Sequence, residues 1–464
     1  MPDDVTSSDL LFSSTDPRPV HFMGIGGAGM SALAVWCLER GVPVTGCDSG
    51  GAPEELHQRG VRVDRGHDPA HVVGVRAVVV TSAVPRDHPE LQAARAAGVP
   101  VVRRAEALGA AVNAGRVVAV AGTHGKTTTT VMTTEALAAA GLAPTGIAGG
   151  RVGAWGGNLR AGGTDVFVVE ADEYDRSFLA LRPTVAVITN VEADHLDIYR
   201  DLDDIRATFV QFATPAHTIV VCDDDEGAAT LPLASGAQLV RYGVTSTRVR
   251  LHGAPAALAD GRTVVAVTWD GECLGDVVLR VPGLHNVRNA LAAIGSGLAL
   301  GSTLDAMRPG LEGFGGVERR FQRLGVVNGI DVVDDYAHHP TEVAATLAAA
   351  RTAFPGRRLV AAFQPHLYSR TRDFAQAFGT SLAAADTVFL CDLYPAREQP
   401  MPGVSSALVA AAIPASQLQW QGPRTDLASA LASFVGPGDV VLTMGAGDIT
   451  RSGPELLTRL TDMA

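Results

Sequence analysis

Twice in its first third this chain passes from an apolar, valine-rich run into a glycine-rich turn and out into an alanine-rich stretch. The first turn is Gly24-Ile25-Gly26-Gly27-Ala28-Gly29, between Val20-His21-Phe22-Met23 and a helical stretch from Met30 to Arg40. The second is Gly122-Thr123-His124-Gly125-Lys126-Thr127-Thr128, between a strand at Arg116 to Val120 and a helix that reaches Ala140 and stops at Gly141. A strand that feeds a helix must return to the sheet by a crossover, which makes the next strand parallel and both sheet faces helix-covered. Glycines let the backbone approach an anion closely, and the helix start supplies free N–H donors, so each turn is suited to phosphate.

The same strand–helix alternation fills the rest of the chain. In the first segment, strands at Val42 to Cys47 and Ala77 to Val80 end at Asp48 and Thr81-Ser82. The chain turns small and polar around Ala110 to Gly115, a boundary. The second segment carries strands at Asp165 to Val169 and Thr184 to Ile188. A stretch from Arg241 to Val281 alternates apolar and polar residues around Gly and Asp turns, as a small antiparallel excursion would. Leu311 to Gly316 is glycine-rich and reads as a hinge. A third segment has strands near Ile330 to Val333, Leu359 to Phe363, Thr387 to Cys391 and Val440 to Met444. The expected fold is α/β with three domains: residues 1–112, Rossmann-like; 113–316, a central P-loop ATPase-like parallel sheet; 317–464, again Rossmann-like.

Lys126 is the only lysine among 464 residues, against 36 arginines. Lysine is a compact point charge on a thin stem, which a loop wrapped around phosphates accommodates better than a wide guanidinium. The one position that retains it lies where an ammonium would reach the β- and γ-phosphates of ATP, with Thr127 placed for Mg²⁺. The loop is a short variant, since Val120 occupies the place of the usual first glycine. Carboxylates close the next strands: Glu170-Ala171-Asp172-Glu173 and Asn190-Val191-Glu192-Ala193-Asp194-His195. Ends of adjacent parallel strands share a crevice, and clustered oxygens there suit Mg²⁺. His195, in a polar loop, fits a plain hydrogen bond as well as a metal. In the first loop, Gly24, Gly26, Gly27, Gly29 and Asp48 have the spacing of a diphosphate cradle with an acid for a ribose hydroxyl, which NAD or another nucleotide diphosphate would satisfy.

The formal net charge of −12 argues against nucleic acid or an anionic membrane as partner. Five cysteines, scattered without metal spacing, read as reduced thiols of a cytoplasmic protein. The first residues have neither a basic start nor an apolar core, so no signal peptide is expected. No uninterrupted apolar run approaches a bilayer span.

Taken together, these motifs resemble the Mur ligase family. The resemblance is carried by His21-x-x-Gly-Ile-Gly-Gly-Ala-Gly-Met30, Gly122-Thr-His-Gly-Lys-Thr-Thr-Thr-Thr130, Glu170-Ala-Asp-Glu173, Asn190-Val-Glu-Ala-Asp-His195, His285-Asn-Val-Arg-Asn-Ala290, Arg319-Arg-Phe-Gln322, Asp334-Asp-Tyr-Ala-His-His-Pro-Thr-Glu342 and Gln364-Pro-His-Leu-Tyr-Ser-Arg-Thr-Arg372, in order along all three segments. It implies that the first domain holds a UDP-sugar, so the first loop and Ser82 serve UDP instead of NAD. It implies ATP and Mg²⁺ in the central domain, with Thr127, Glu170 and His195 as metal ligands. His285 and Asn289 would face adenine, Asp335 a ribose, and Arg320 a phosphate. Tyr336, His338 and Arg370 would frame an amino acid, Arg370 by a bidentate fork on its carboxylate. Some relatives carry a basic residue in place of Leu367.

The reaction so implied joins L-alanine to the lactyl carboxylate of UDP-N-acetylmuramate through an acyl phosphate, giving ADP and phosphate in cytoplasmic peptidoglycan precursor synthesis. A monomer or weak homodimer would suffice. An acyl phosphate must be kept from water, so closure of the last domain is expected, with residues 313–316 as the hinge. Several relatives use a carbamylated lysine at the metal, which a chain with one lysine in its phosphate loop cannot do. The competing readings are a ligase that attaches a whole tripeptide, an NAD-dependent oxidoreductase, and a nucleotide-gated protein without turnover.

Overall fold

The structure, a computed structural model, describes residues 7–196, 198–233, 236–258, 262–396 and 398–463. It has two compact units. One comprises residues 1–254, 265–277 and 288–314, and the other residues 255–264, 278–287 and 315–464.

The first unit opens with a five-stranded, wholly parallel sheet in the spatial order Arg62–Arg65, Val44–Asp48, Val20–Met23, Ala77–Val80, Val101–Arg103. The chain starts in the middle and reverses direction of winding beside Val20–Met23. Such a switch point opens a crevice at the carboxyl ends of Val20–Met23 and Ala77–Val80, where the first glycine loop and Ser82 stand. Alternate residues go to opposite faces: Val20, Phe22, Ala77 and Val79 to one core, Met23, Val78 and Val80 to another. Burial on both faces is why these strands read as unbroken apolar runs.

A ten-stranded sheet follows. Within it the strand Arg116–Ala121 is paired in parallel with Val166–Glu170 on one side and Val185–Ile188 on the other. The phosphate-type loop therefore leaves the middle strand of these three, flanked by the acids that close its neighbors. The excursion read from residues 241–281 is present as Leu251–Ala257, Thr263–Trp269 and Glu272–Leu279, successive neighbors at the sheet edge. Its last turn is Asp270-Gly271, both with positive φ (49° and 87°), the tight reversal that matches strand twist.

In the second unit a six-stranded sheet runs Gln322–Val327, Ile330–Asp335, Val440–Met444, Leu359–Phe363, Thr387–Cys391, Leu418–Gly422; only the first pair is antiparallel. Val333, Leu359, Ala361 and Phe363 face one core and Val332, Val360 and Ala362 the other. Phe363 is fully buried, so truncation to alanine would cost roughly 3–5 kcal/mol.

Two expectations need adjusting locally. The polar boundary at residues 110–115 is partly helix, since Arg104–Val112 continues through Val112. The glycine-rich 311–316 segment begins as the last turn of the helix Leu304–Gly313. Thr303 caps that helix by accepting the Ala306 N–H, and buried Leu304, Met307 and Leu311 form a stripe that carries it through to Gly313.

Candidate active site

The phosphate-type loop is shaped by two glycines that other residues could not replace. Gly122 has φ +145°, and a Cβ there would stand 1.9 Å from Thr189 Oγ1; Gly125, at φ +80°, would press on Asn289 Oδ1 at 2.8 Å. The loop is laced to the strand-end motif opposite. The His124 N–H donates to Asn190 Oδ1 at 2.7 Å, Thr189 Oγ1 and Asn190 Nδ2 donate to the His124 carbonyl, and the Glu192 N–H donates to Thr123 Oγ1 at 2.9 Å. The helix Lys126–Ala139 starts at the lysine, and its first turn buries Thr127, Thr128 and Thr129. Thr129 donates to Asn289 Oδ1 at 3.1 Å, so Asn289 is packed on the loop.

Lys126 turns its ammonium back into the loop. Nζ donates to the Gly122 carbonyl at 2.7 Å and to both oxygens of Glu173, at 3.0 and 2.8 Å. Burial alone would lower the lysine pKa, but Glu173, Asp172 and Glu170 outweigh it and hold the amine protonated. Burial pushes the Glu173 carboxyl up to about 7 against the pull of Lys126. His195 Nε2 lies 3.7 Å from the same carboxylate, and its ring meets Tyr174 edge-on at 5.2 Å. Positive φ at Asp175, Arg176 and His195 (54°, 55° and 53°) marks bent backbone around the cluster. Glu170 Oε2 accepts the Gly149 N–H at 2.7 Å.

The acid that sequence reasoning passed over is Glu173. Four carboxylate-bearing positions lie close together in the chain near the strand end, and only the turn beginning at Tyr174 selects which of them meets Lys126. Asn190, quoted within a motif but given no task, is the loop's main brace.

At the first loop, Asp48 is engaged by the protein itself. It accepts the Gly26 N–H at 3.0 Å and the Gly50 N–H at 2.8 Å. Gly26 has no room for a side chain, since a Cβ would stand 2.5 Å from the Gly51 carbonyl; at Gly29 it would meet Arg104 Nη1 at 3.0 Å. Gly24 needs its positive φ of 79°, and Gly27 is the residue on which the helix Ala28–Glu39 begins.

In the second unit, Asp335 ends a sheet strand and holds two loops, accepting the N–H groups of Phe321 and Ala337, both at 2.7 Å. Burial pushes its carboxyl up to about 6, against Arg320. Arg319 and Arg320 lie over the Tyr336 ring at 4.7 and 4.9 Å. Arg320 Nη1 is 3.7 Å from Glu342. The turn is bent, with φ of 60° at Arg319 and 49° at Phe321. His338 Nδ1 faces the Tyr336 carbonyl at 2.9 Å and Glu342 at 3.2 Å. Arg370 is buried in the first turn of the helix Tyr368–Leu382, which follows Leu367 at φ 70°. His285 lies against Gly283, which has φ 97°. Asp48, Glu170 and Asp335 close strands, and Lys126, Thr127 and Arg370 lie in first helical turns, whereas His195 and His338 lie in loops and Asn289 is inside the helix Leu284–Ala299.

Three family models match successive parts of the chain: the Mur ligase family catalytic domain over residues 19–116, the Mur ligase middle domain over 120–297, and the Mur ligase glutamate ligase domain over 319–447. The chain belongs to the Mur ligase family, a three-domain α/β family of ligases. Its similar relatives include UDP-N-acetylmuramate–L-alanine ligases of Acidothermus cellulolyticus, 46% identical over 98% of each chain, and of Kineococcus radiotolerans, 47% identical over 96% of each. Among solved structures, the UDP-N-acetylmuramate-alanine ligase of Thermotoga maritima superposes with a TM-score of 0.82 at 29% identity, covering 96% of this chain and 100% of that one. A murein peptide ligase from Psychrobacter arcticus follows at 0.71 and 26%, covering 96% and 99%.

Proposed function

We propose that this chain joins L-alanine to the lactyl carboxylate of UDP-N-acetylmuramate at the expense of ATP, in peptidoglycan synthesis. The observation that carries the reading is the lysine loop laced to Asn190 and faced by Glu170, Glu173 and His195, in a chain nearly half identical, end to end, to ligases of that name. The tripeptide alternative is less favored, since the murein peptide ligase is the more distant likeness.

Residues 1–112 bind the UDP-sugar through Gly24, Gly26, Gly27, Gly29, Asp48 and Ser82. Residues 113–316 bind ATP through Gly122, Thr123, His124, Gly125, Lys126, Thr127 and Thr128, with Asn289 and His285 toward the base. Residues 317–464 bind the amino acid through Tyr336, His338 and Arg370, while Asp335 takes the ATP ribose. A carboxylate accepts an amine only once its oxygen has become a leaving group, which phosphorylation achieves. Lys126 neutralizes charge on the transferring phosphoryl group once nucleotide phosphates replace Glu173 and the Gly122 carbonyl as its partners. Arg320, held on its bent turn, supplies a second positive charge. Arg370 fixes the alanine carboxylate so that the amine points at the acyl carbon.

The residues present also fit Mg²⁺. Thr127 and Glu170 offer the hard oxygens this ion prefers, in an acid-rich strand end, with His195 as the nitrogen donor. When bound, Mg²⁺ would screen the phosphate charges and polarize the transferred group. No helix among the described residues is long and apolar enough to cross a membrane. We place the protein in the cytoplasm, as a monomer or weak homodimer without nucleic-acid or membrane partners.

The deciding assay is phosphate release from ATP with UDP-N-acetylmuramate plus L-alanine, then with tripeptide, then without amine. Release with L-alanine is expected. Release only with tripeptide, or none, would refute the assignment.

A further inference from the structure

Beneath the first glycine loop lies a buried cluster to which the ligase chemistry gives no task. His21 lies on the strand Val20–Met23 and Cys47 on its neighbor Val44–Asp48; Glu90 starts the helix Pro89–Ala96, and His71 lies in the short turn Pro69–Val72. His21 is 1% exposed, and Cys47 and Glu90 are completely enclosed. His21 Nε2 is 3.0 Å from Glu90 Oε1 and 3.4 Å from Cys47 Sγ; Cys47 Sγ is 3.4 Å and His71 Nδ1 3.3 Å from the same carboxylate oxygen. One donor atom from each of the four residues falls within 4.8 Å of every other.

Tetrahedral coordination with bonds of ~2.1 Å to nitrogen or oxygen and ~2.3 Å to sulfur sets donor atoms roughly 3.3–3.6 Å apart. The four contacts given above, at 3.0–3.4 Å, are within a few tenths of an ångström of that spacing, and the two remaining pairs lie within 4.8 Å. Its charges point the same way. Glu90 is completely enclosed, its close partners are the imidazoles of His21, His67 and His71, and no arginine or lysine forms an ion pair with it among the described residues. A buried anion of that kind needs a cation close by. His71 Nδ1 also faces the Asp68 N–H at 3.3 Å. That nitrogen has a single in-plane lone pair, so metal binding would take it from the Asp68 N–H. His21 is oriented from behind, its Nδ1 lying 3.0 Å from Thr45 Oγ1, the outer contact typical of a metal-bound imidazole.

We propose that His21, Cys47, His71 and Glu90 bind a thiophilic divalent cation of the zinc class. His67, with Nδ1 3.1 Å from Cys47 Sγ, stands beside the site as a fifth donor. Binding exchanges the Cys47 S–H bond for a sulfur–metal bond and releases the proton to solvent. Because that proton is released on binding, metal uptake falls with acidity. The consequence for the fold is direct. The Cys47 carbonyl accepts the Gly24 and Ile25 N–H groups at 2.8 and 3.2 Å, and Asp48, the next residue, holds Gly26. A cation on Cys47 therefore anchors the strand end from which the glycine loop hangs.

The test uses full-length protein stripped with chelator and titrated with Co²⁺. One equivalent should bind with a thiolate-to-cobalt charge-transfer band, which Zn²⁺ then abolishes. The Mg²⁺ site proposed above contains no cysteine and cannot give this band. C47A should lose it, and C273A, which removes an exposed thiol, should keep it. E90Q, which retains the thiol, should weaken cobalt binding at least tenfold and serves where C47A does not fold. No band in the wild-type protein, a band unchanged in C47A, or undiminished affinity in E90Q would overturn the proposal.

Discussion

The ammonium of Lys126 is 2.8 Å from the carboxylate of Glu173, and both side chains are nearly enclosed. The proposed ATP loop therefore rests in an internal ion pair, one that nucleotide binding there would have to open. Lys126→Arg keeps the charge, but its planar head does not fit among the Gly122 carbonyl, Glu173 and a phosphate. Turnover should fall roughly 100-fold or more, measured as phosphate release at saturating substrates. Near-normal activity would show that charge alone suffices.

Activity should not respond to added bicarbonate. The single lysine is committed to the loop, so none remains to carry a CO₂-derived carbamate. The check is the initial rate in CO₂-free buffer with and without bicarbonate. A rise on addition would contradict the metal shell of Thr127, Glu170 and His195.

Asp224 carries a pH-dependent part of the stability. It accepts N–H groups of Val244 and Ser246 and pairs with Arg288 at 2.8 Å, which outweigh burial and lower its pKa to about 2. A folded-state pKa below the unfolded value of about 3.8 means stability that is present above pH 4 and lost as pH falls toward 2. The shift corresponds to about 2 kcal/mol. Asp224→Asn should lower the melting temperature at pH 7 and narrow its gap to wild type near pH 3, by calorimetry. A gap constant across that range would count against this account.

Gly122→Ala combines left-handed strain with a clash against Thr189 Oγ1. It should destabilize the protein by about 2–3 kcal/mol and weaken ATP binding. Chemical denaturation and nucleotide titration would read the two effects separately.

Arg370→Lys should raise the KM for L-alanine about 10- to 100-fold, because a bidentate contact becomes a single one, while the KM for ATP stays within about twofold. Equal changes in both would place Arg370 elsewhere in the mechanism.

The sheets were readable because every central strand is buried on both faces, so Val185–Ile188 and Leu359–Phe363 appear as plain apolar runs. Helix starts were less readable. Gly27 gives no side-chain cap, so the helix from Ala28 announces itself only at Met30. Residues of the site stood out where the motif was local, as from Gly122 to Thr128. Glu173 did not, because its meeting with Lys126 depends on backbone at Asp175 and Arg176 in a conformation no pattern of residue types reveals. The His21, Cys47, His71 and Glu90 group was equally hidden. Its members come from four separate elements and become neighbors only when the parallel sheet is assembled.

A chain with one lysine has one side-chain amine, and here it lies in the proposed ATP loop, tucked against Glu173. Amine-directed chemistry is thereby confined to a single internal address. In the folded protein that amine is protonated and paired, so it becomes open to acylation only on denaturation, and a protease specific for lysine would then divide the chain once, inside this loop.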